Sequence, residues 1–460
     1  MNSKTQNRRF VVIGGVAAGM SAASAVKRDD PSIEVIVLEK GEFISYSACS
    51  LPYFISDVIK DYRQLIALTP EQARQERQIA VWLKHEAMAI YPEKHLVAVL
   101  DRDTGTEKTV TYDDLMIASG GTPINPPIPG IDLPNVFQIR TLSDGITIKQ
   151  YIATHAPKKA VIIGGGYIGL EMAETCTVLG MEVTVLEKLG NIMGTMGNEM
   201  TAVIEAELKH QGIRVVKDID IDSFEAIEGQ CGYILADKGK QHFETDLVIV
   251  AVGVRPEVAL AKGAGIAIGE TGAIAVDATL RTNLDHIYAS GDCTEVTHLV
   301  SGKKAYIPLG TTANKQGRIV GRNVVNPGCC QFKGVVGTAV TKICDLEVAR
   351  TGLSLMEAKR FGFPATTVTI TAKSRASSYP GGSPITITLI LDQTNQELLG
   401  AEMAGKEGVA KRIDIFATAL YNQMTVQELA ELDLSYAPPF APVWDPVLVA
   451  ANVGVKKLSS

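Results

Sequence analysis

Two stretches of the chain repeat one order of apolar, glycine and polar positions. The first begins with the unbroken apolar run Phe10-Val-Val-Ile, turns through Gly14-Gly-Val-Ala-Ala-Gly19, and continues in small residues to about Arg28. A second apolar run, Glu34 to Leu38, ends at Glu39. The other stretch runs Lys159-Ala-Val-Ile-Ile, Gly164-Gly-Gly-Tyr-Ile-Gly169, a periodic segment to about Leu179, then Glu182 to Leu186 closed by Glu187. Short continuous apolar runs bounded by glycine read as strands, and the segments between them as helices. Each stretch is therefore strand, glycine turn, helix, strand, acid.

The texture changes after about Val335. Alternation predicts strands around Thr366–Thr371, Ile385–Leu391 and Leu398–Ala404. A helix follows, with Ile413, Phe416, Ala417 and Leu420 on one face. Thr425-Val-Gln-Glu428 has capping-box spacing for another helix. The run Tyr436-Ala-Pro-Pro-Phe-Ala-Pro442 is too proline-rich for a helix and predicts a rigid loop.

The repeated unit has a specific use. Glycine at a strand-to-helix turn lets the backbone approach a pyrophosphate without a Cβ in the way. The helix start adds unpaired N–H groups and partial positive charge. An acid about 20 residues on accepts hydrogen bonds from a ribose diol. Gly164, Gly166 and Gly169 fill this fingerprint with Glu187; Gly14 and Gly19 fill it with Glu39 and its neighbour Lys40, but Val16 stands where the middle glycine is expected. Two such units predict two dinucleotides, and FAD with NAD(P)H is the natural pair for hydride chemistry. Near Ile287 a third apolar run exits through Tyr288-Ala-Ser-Gly-Asp292, which puts a carboxylate at a strand end, where ligands gather in such sheets. Ile117-Ala-Ser-Gly-Gly-Thr-Pro123 and Val250-Ala-Val-Gly-Val-Arg-Pro256 resemble each other and read as two chain exits.

Composition narrows the class. The 460 residues are 46% hydrophobic and 21% charged, enough for two or three domains with ordinary cores. A net charge of −7 argues against a nucleic-acid surface. No apolar run reaches the roughly 18 residues a membrane span needs, and Met1 to Phe10 lacks the apolar core of a signal peptide, so a cytoplasmic protein is expected. Seven scattered cysteines, without a CxxC and with only Cys329–Cys330 adjacent, predict catalytic rather than structural thiol chemistry.

With these motifs the chain resembles the flavin disulfide reductases over almost its whole length. Ser45-Tyr-Ser-Ala-Cys49-Ser-Leu-Pro-Tyr53 and Tyr436-Ala-Pro-Pro-Phe440 are similar to the coenzyme A-disulfide reductases and the NADH-dependent persulfide and polysulfide reductases. Three residues sort the subgroup. Two-cysteine relatives have a second cysteine where this chain has Phe54; their C-terminal His–Glu base has no counterpart, because no histidine follows His298; and the family's peroxidases and oxidases carry a histidine where this chain has Ala17.

The resemblance implies an α/β fold: two Rossmann-like domains, FAD-binding at 1–155 with 281–334 and NAD(P)H-binding at 156–280, then an α+β dimerisation domain at 335–460. It implies that Cys49 is the single redox-active thiol, with a depressed pKa near a helix start beside the flavin. Tyr436 would come from the partner subunit of a homodimer to serve the leaving thiolate. Tyr167 would gate the flavin, Asp292 would hold its ribityl chain, and Thr311, Thr312 and Ala313 would precede a helix, Asn314 to Asn323, aimed at its pyrimidine. Glu187 favours NADH, with Lys188 leaving NADPH possible. Ser21, Arg28, Ser45, Arg77 and Tyr379 match positions that hold coenzyme A; the ordinary reading of either arginine is a solvated surface charge. Departures are Ala48 for an asparagine, Ser378 for the first tyrosine of a Tyr-Tyr-Pro-Gly motif, and Trp444 for a lysine. No fused rhodanese domain is expected after Ser460. The expected activity is reduction of a disulfide, persulfide or polysulfide; the alternatives are an NADH oxidase using a cysteine sulfenic acid and a flavin-bound sensor with little turnover.

Overall fold

A computed structural model describes residues 8–459. The polar segment Met1–Asn7, part of the stretch that argues against a signal peptide, lies outside the described residues.

Both repeated stretches fold as parallel sheets. In the first, Arg9–Ile13 lies between Glu34–Leu38 and Asp114–Ile117; Ile79–Trp82 and Ile287–Ala289 form the edges, all parallel. In the second, Lys159–Ile163 lies between Glu182–Leu186 and Leu247–Val250, with Arg214–Val216 and Val136–Phe137 at the edges, again parallel. Such strands are covered on both faces, which is why they read as unbroken apolar runs rather than as alternation. Val11, Val12, Val37, Ile162 and Ile249 are all fully buried. The edge strand Val136–Phe137 belongs to the second sheet, although the sequence division places residues up to 155 with the first.

The helix Ala17–Asp29 is built of small residues because another helix, Gly310–Val325, crosses it almost backbone to backbone. A Cβ at Gly317 would stand 2.2 Å from the Ala18 carbonyl oxygen, and one at Gly321 would stand 2.6 Å from that of Ala22. The crossing helix begins at Gly310, four residues before the sequence placed it, so Thr311, Thr312 and Ala313 form its first turn instead of preceding it. Small antiparallel sheets, His85–Tyr91 to Glu107–Thr111 and Ile221–Ile227 to Gln241–Glu244, follow the third strand of each unit. The two similar exit segments pair with each other: Gly121–Pro123 lies antiparallel to Val254–Pro256.

The C-terminal unit is a five-stranded antiparallel sheet, including Ala365–Lys373, Pro384–Asp392 and Leu398–Gly405. Helices Val409–Tyr421, Val426–Ala430 and Pro446–Leu458 share its core. The predicted capping box forms, with Thr425 and Glu428 bonding reciprocally. Tyr436–Pro442 is neither helix nor strand. Among the described residues, no helix is long and apolar enough to cross a membrane.

Candidate active site

The two glycine turns are near copies. Gly14 and Gly164 have φ of +104° and +103°, where an L side chain is strained, and a Cβ on either would overlap a carbonyl oxygen, of Ala118 at 2.2 Å or of Ala251 at 2.5 Å. Gly19 and Gly169 let the helix seat itself: a Cβ on each would stand 1.9 Å from the carbonyl oxygen of Gly14 or Gly164. The middle position has no such need. Gly166 has an extended backbone and a Cβ there would meet nothing within 4 Å, while Val16 has φ of −96°. Valine is therefore tolerated in the first turn, and the second is left more open.

The acids bind the turns themselves. Glu39 accepts from the Gly15 N–H at 2.8 Å and the Gly41 N–H at 2.7 Å; Glu187 accepts from Gly165 at 2.7 Å and Leu189 at 2.8 Å. Six residues after each acid, a residue with positive φ, Ser45 or Met193, donates its N–H to the same glycine's carbonyl. Lys40 is exposed, and Lys188 is paired with Asp220 at 2.8 Å.

The glycine-turn helices are among those that start without a side-chain cap, as Asn198–His210 also does. Side chains cap Pro70–Arg77, Leu142–His155, Leu355–Arg360 and Val426–Ala430 by capping boxes. The starts of Ala17–Asp29, Tyr167–Val178 and Gly310–Val325 have no side-chain cap. Uncapped N–H groups at a glycine turn suit an anion, so these starts fit two pyrophosphates and a flavin ring edge. Buried polar atoms without a partner lie around Asp292: the hydroxyls of Ser290 and Tyr306, and Nε2 of Gln316, whose Oε1 accepts from the Gly291 N–H at 2.8 Å. The unpaired Tyr167 hydroxyl instead faces the charges of Arg350 and Glu402. Asp292, just past Ile287–Ala289, pairs with Arg140 at 2.6 Å.

Cys49 lies in the short 3₁₀ turn Ala48–Ser50 that leads into the helix Leu51–Ile55. Leu51, Phe54 and Ile55 pack with Leu170, Met172, Ala173 and Cys176 of Tyr167–Val178, and Thr175 donates to the Pro52 carbonyl at 3.1 Å. The segment that follows the first acid is thus fixed to the helix that follows the second glycine turn. The residue is exposed, and the expected depressed pKa is not what results. Burial pushes the Cys49 thiol up; the Glu171 and Asp292 carboxylates push the same way, and Arg140 opposes them. The thiolate is the reactive form, so a raised pKa leaves less of it at neutral pH. Iodoacetamide alkylation of flavin-free protein should keep accelerating past pH 9, measured as the rate of mass addition at Cys49; a plateau below neutrality would contradict the assignment.

The remaining expected residues divide into two groups. Ser21, Ser24 and Arg28 recur at helical spacing on one face of Ala17–Asp29. Ser21 donates to Asn314 at 2.8 Å, Arg77 reaches across to Ser24 at 2.8 Å, and Arg28 is exposed. Tyr379 and Tyr436 instead lie exposed on the C-terminal unit, alongside exposed Phe440, Val443 and Trp444.

The sequence reading missed Glu171 and Arg140. Glu171 lies one turn after Tyr167, spacing that puts both on one face. Burial raises its pKa, against the Thr341 hydroxyl bonded to it at 2.6 Å. Nothing local marks Arg140, whose partner is 152 residues away.

Fold and site together define a two-nucleotide flavoprotein oxidoreductase. The pyridine nucleotide-disulphide oxidoreductase family model matches residues 8–317, and that family's dimerisation domain matches 338–446. The chain belongs to this family and is an FAD- and NAD(P)H-dependent enzyme. It is 38% identical over 451 residues to an NAD(P)H sulfur oxidoreductase (CoA-dependent) of Pyrococcus furiosus, covering 97% of this chain and 99% of that one. It is 35% identical over 453 residues to an NADH oxidase of Methanocaldococcus jannaschii, covering 98% and 100%. A solved NAD-dependent persulfide reductase from A. fulgidus superposes with a TM-score of 0.95 at 37% identity, over 98% of this chain and 84% of that one.

Proposed function

We propose that the chain is a cytoplasmic, homodimeric NADH-dependent reductase of coenzyme A disulfide or coenzyme A persulfide, with polysulfide as a further substrate. The observation that carries this is the position of Cys49, on a segment of the first glycine-turn unit that packs against the helix after the second turn, with the Asp292 and Glu171 carboxylates both acting on its thiol. FAD, when bound, supplies a two-electron relay between nicotinamide and sulfur.

The chain's own residues do the rest. Residues 1–155 with 281–334, apart from the edge strand Val136–Phe137, form the FAD domain, with Gly14, Gly19, Glu39, Lys40, Asp292, Thr311 and Ala313 as its contacts. Residues 156–280 form the NAD(P)H domain through Gly164, Gly166, Tyr167, Gly169 and Glu187, and 335–460 dimerise. Ser21, Arg28, Ser45, Arg77 and Tyr379 bind the coenzyme A moiety, with Ser21 and Ser45 lining its entry. The Cys49 thiolate attacks one sulfur of R–S–S–R, giving Cys49–S–S–R and RS⁻. The partner subunit's Tyr436 donates to that leaving thiolate. Two electrons drawn from NADH then cleave the mixed disulfide, restoring the Cys49 thiolate and releasing the second RS⁻, which takes a proton from solvent.

The Methanocaldococcus relative's name favours an oxidase as second reading. Ala17, where the family's oxidases have a histidine, favours the first. Thiol release and oxygen uptake, measured together with coenzyme A disulfide, glutathione disulfide and polysulfide, test it. Turnover fastest with coenzyme A disulfide or polysulfide and little oxygen uptake is expected. Oxygen consumption matching NADH loss, with or without a sulfur acceptor, would overturn it.

Cofactor preference gives a narrower test. The Glu187 carboxylate suits a free 2′-hydroxyl and repels a 2′-phosphate, and Lys188 is already engaged by Asp220. Glu187→Gln keeps an acceptor for one turn N–H while removing the charge. The ratio of kcat/KM for NADPH to that for NADH should rise about tenfold, or about 1.4 kcal/mol. An unchanged ratio would mean that Glu187 does not read the ribose.

A further inference from the structure

One thiol pair is not used by this chemistry. Cys329 and Cys330 follow the helix Gly310–Val325, and Cys329 is exposed. Their Sγ atoms are 3.6 Å apart. The loop that carries them is fixed by Asn323, whose side chain belongs to a fully buried residue. Its Oδ1 accepts from the Cys330 N–H at 3.0 Å, and its Nδ2 donates to the carbonyls of Cys330 and Thr279, each at 2.9 Å. The Arg322 guanidinium lies beside Cys330, 3.8 Å from its sulfur, and is held from the other side by Asp29 at 3.7 Å. A buried amide spending its hydrogen-bonding groups on this loop keeps both thiols together at the surface, with a cation beside one of them.

We propose that Cys329–Cys330 is a second thiol–disulfide exchange site, a surface vicinal dithiol that is oxidised by low-mass disulfides. Cys329, the exposed member, attacks R–S–S–R; a Cys329–S–S–R bond forms and one RSH leaves. Cys330 then attacks the Cys329 sulfur and expels the second RSH. The two thiols lose two electrons and two protons, the disulfide gains them, and no other oxidant is needed. Adjacent Cα atoms are about 3.8 Å apart, shorter than the roughly 4.4–6.8 Å usual for a disulfide. The closed ring is therefore strained and readily reduced, which suits a reversible response to the ratio of disulfide to thiol. Desolvation and the neighbouring Cys330 sulfur hold the Cys329 thiol above its usual range, so exchange quickens as pH rises.

This chemistry is independent of Cys49, so it is tested in full-length Cys49→Ser protein, where Cys176, Cys231, Cys293 and Cys344 are buried. The protein is incubated with glutathione disulfide, blocked with N-ethylmaleimide and mapped by peptide mass. The peptide containing both cysteines should lose two hydrogens and carry neither maleimide nor glutathione; excess glutathione should restore both thiols. With Cys330→Ser added, Cys329 should retain one glutathione. Phenylarsine oxide should bind once per Cys49→Ser chain and not at all once Cys330 is also serine. Two maleimides after prolonged incubation, two stable glutathione adducts, or arsenical binding unaffected by Cys330→Ser would overturn the proposal.

Discussion

Replacing Cys49 by serine should lower thiol release from disulfide or polysulfide by about 10³-fold or more, while NADH still reduces the flavin within about twofold of the wild-type rate. The expected split follows from where the residue sits. A serine hydroxyl cannot form the mixed disulfide, so the sulfur half of the reaction loses its acceptor. In the proposed mechanism the nicotinamide half draws on Gly164 and Gly169 of the second turn and on Glu187 bonded to it, and none of these contacts changes. Neither neighbour offers a substitute thiol: Phe54 occupies the place of a second cysteine, and Cys176, on the packed helix, is fully buried with its thiol pushed up to about 12. The measurement is stopped-flow flavin bleaching beside steady-state thiol release. A variant keeping a tenth of the turnover would move the sulfur relay away from position 49.

That expectation rests on parts of the site that were legible in sequence because they are local. Gly14 and Gly164 are recognisable because only glycine fits their positive φ and the overlap with a neighbouring carbonyl oxygen. The acids are recognisable because the strand length fixes their distance from the turn. The Thr425 capping box is a contact across three residues. What escaped reading is either long-range or marked by an absence. The helix Gly310–Val325 starts earlier than expected because Leu309 stands at its N-cap and gives no capping signal. The same bare start makes it suitable for a ligand. The raised Cys49 pKa comes from burial, then from Glu171 and Asp292, residues more than a hundred positions away. The two-residue strand Val136–Phe137 is too short for any periodicity and joins the second sheet only through pairing with Leu247–Val250.

A second long-range feature sets the other large effect. Arg412→Met should destabilise the C-terminal unit by about 3–5 kcal/mol. Arg412 and Asp445 are only 8% and 7% exposed. The Arg412 Nε donates to both Asp445 oxygens, at 3.1 and 2.9 Å, and Nη2 pairs with Asp445 Oδ2 at 2.9 Å. The same guanidinium donates to the carbonyls of Gly408, Ser374 and Phe440. Methionine would fill much of the volume and leave a carboxylate without its cation and three carbonyl oxygens without that donor. Asp445 also caps the last helix, accepting from the Val447 N–H at 2.9 Å. Adding Asp445→Asn removes the stranded charge and keeps a good cap residue, so the double variant should be more stable than Arg412→Met alone. Because Phe440 belongs to the loop that starts at Tyr436, losing its anchor should also weaken dimerisation and turnover together, if that loop serves the partner's active site. Urea unfolding, sedimentation and thiol release on the three proteins measure these effects. A single variant within about 1 kcal/mol of wild type would show that the buried pair does not hold the loop, and a double variant less stable than the single would show that the stranded carboxylate was not the cost.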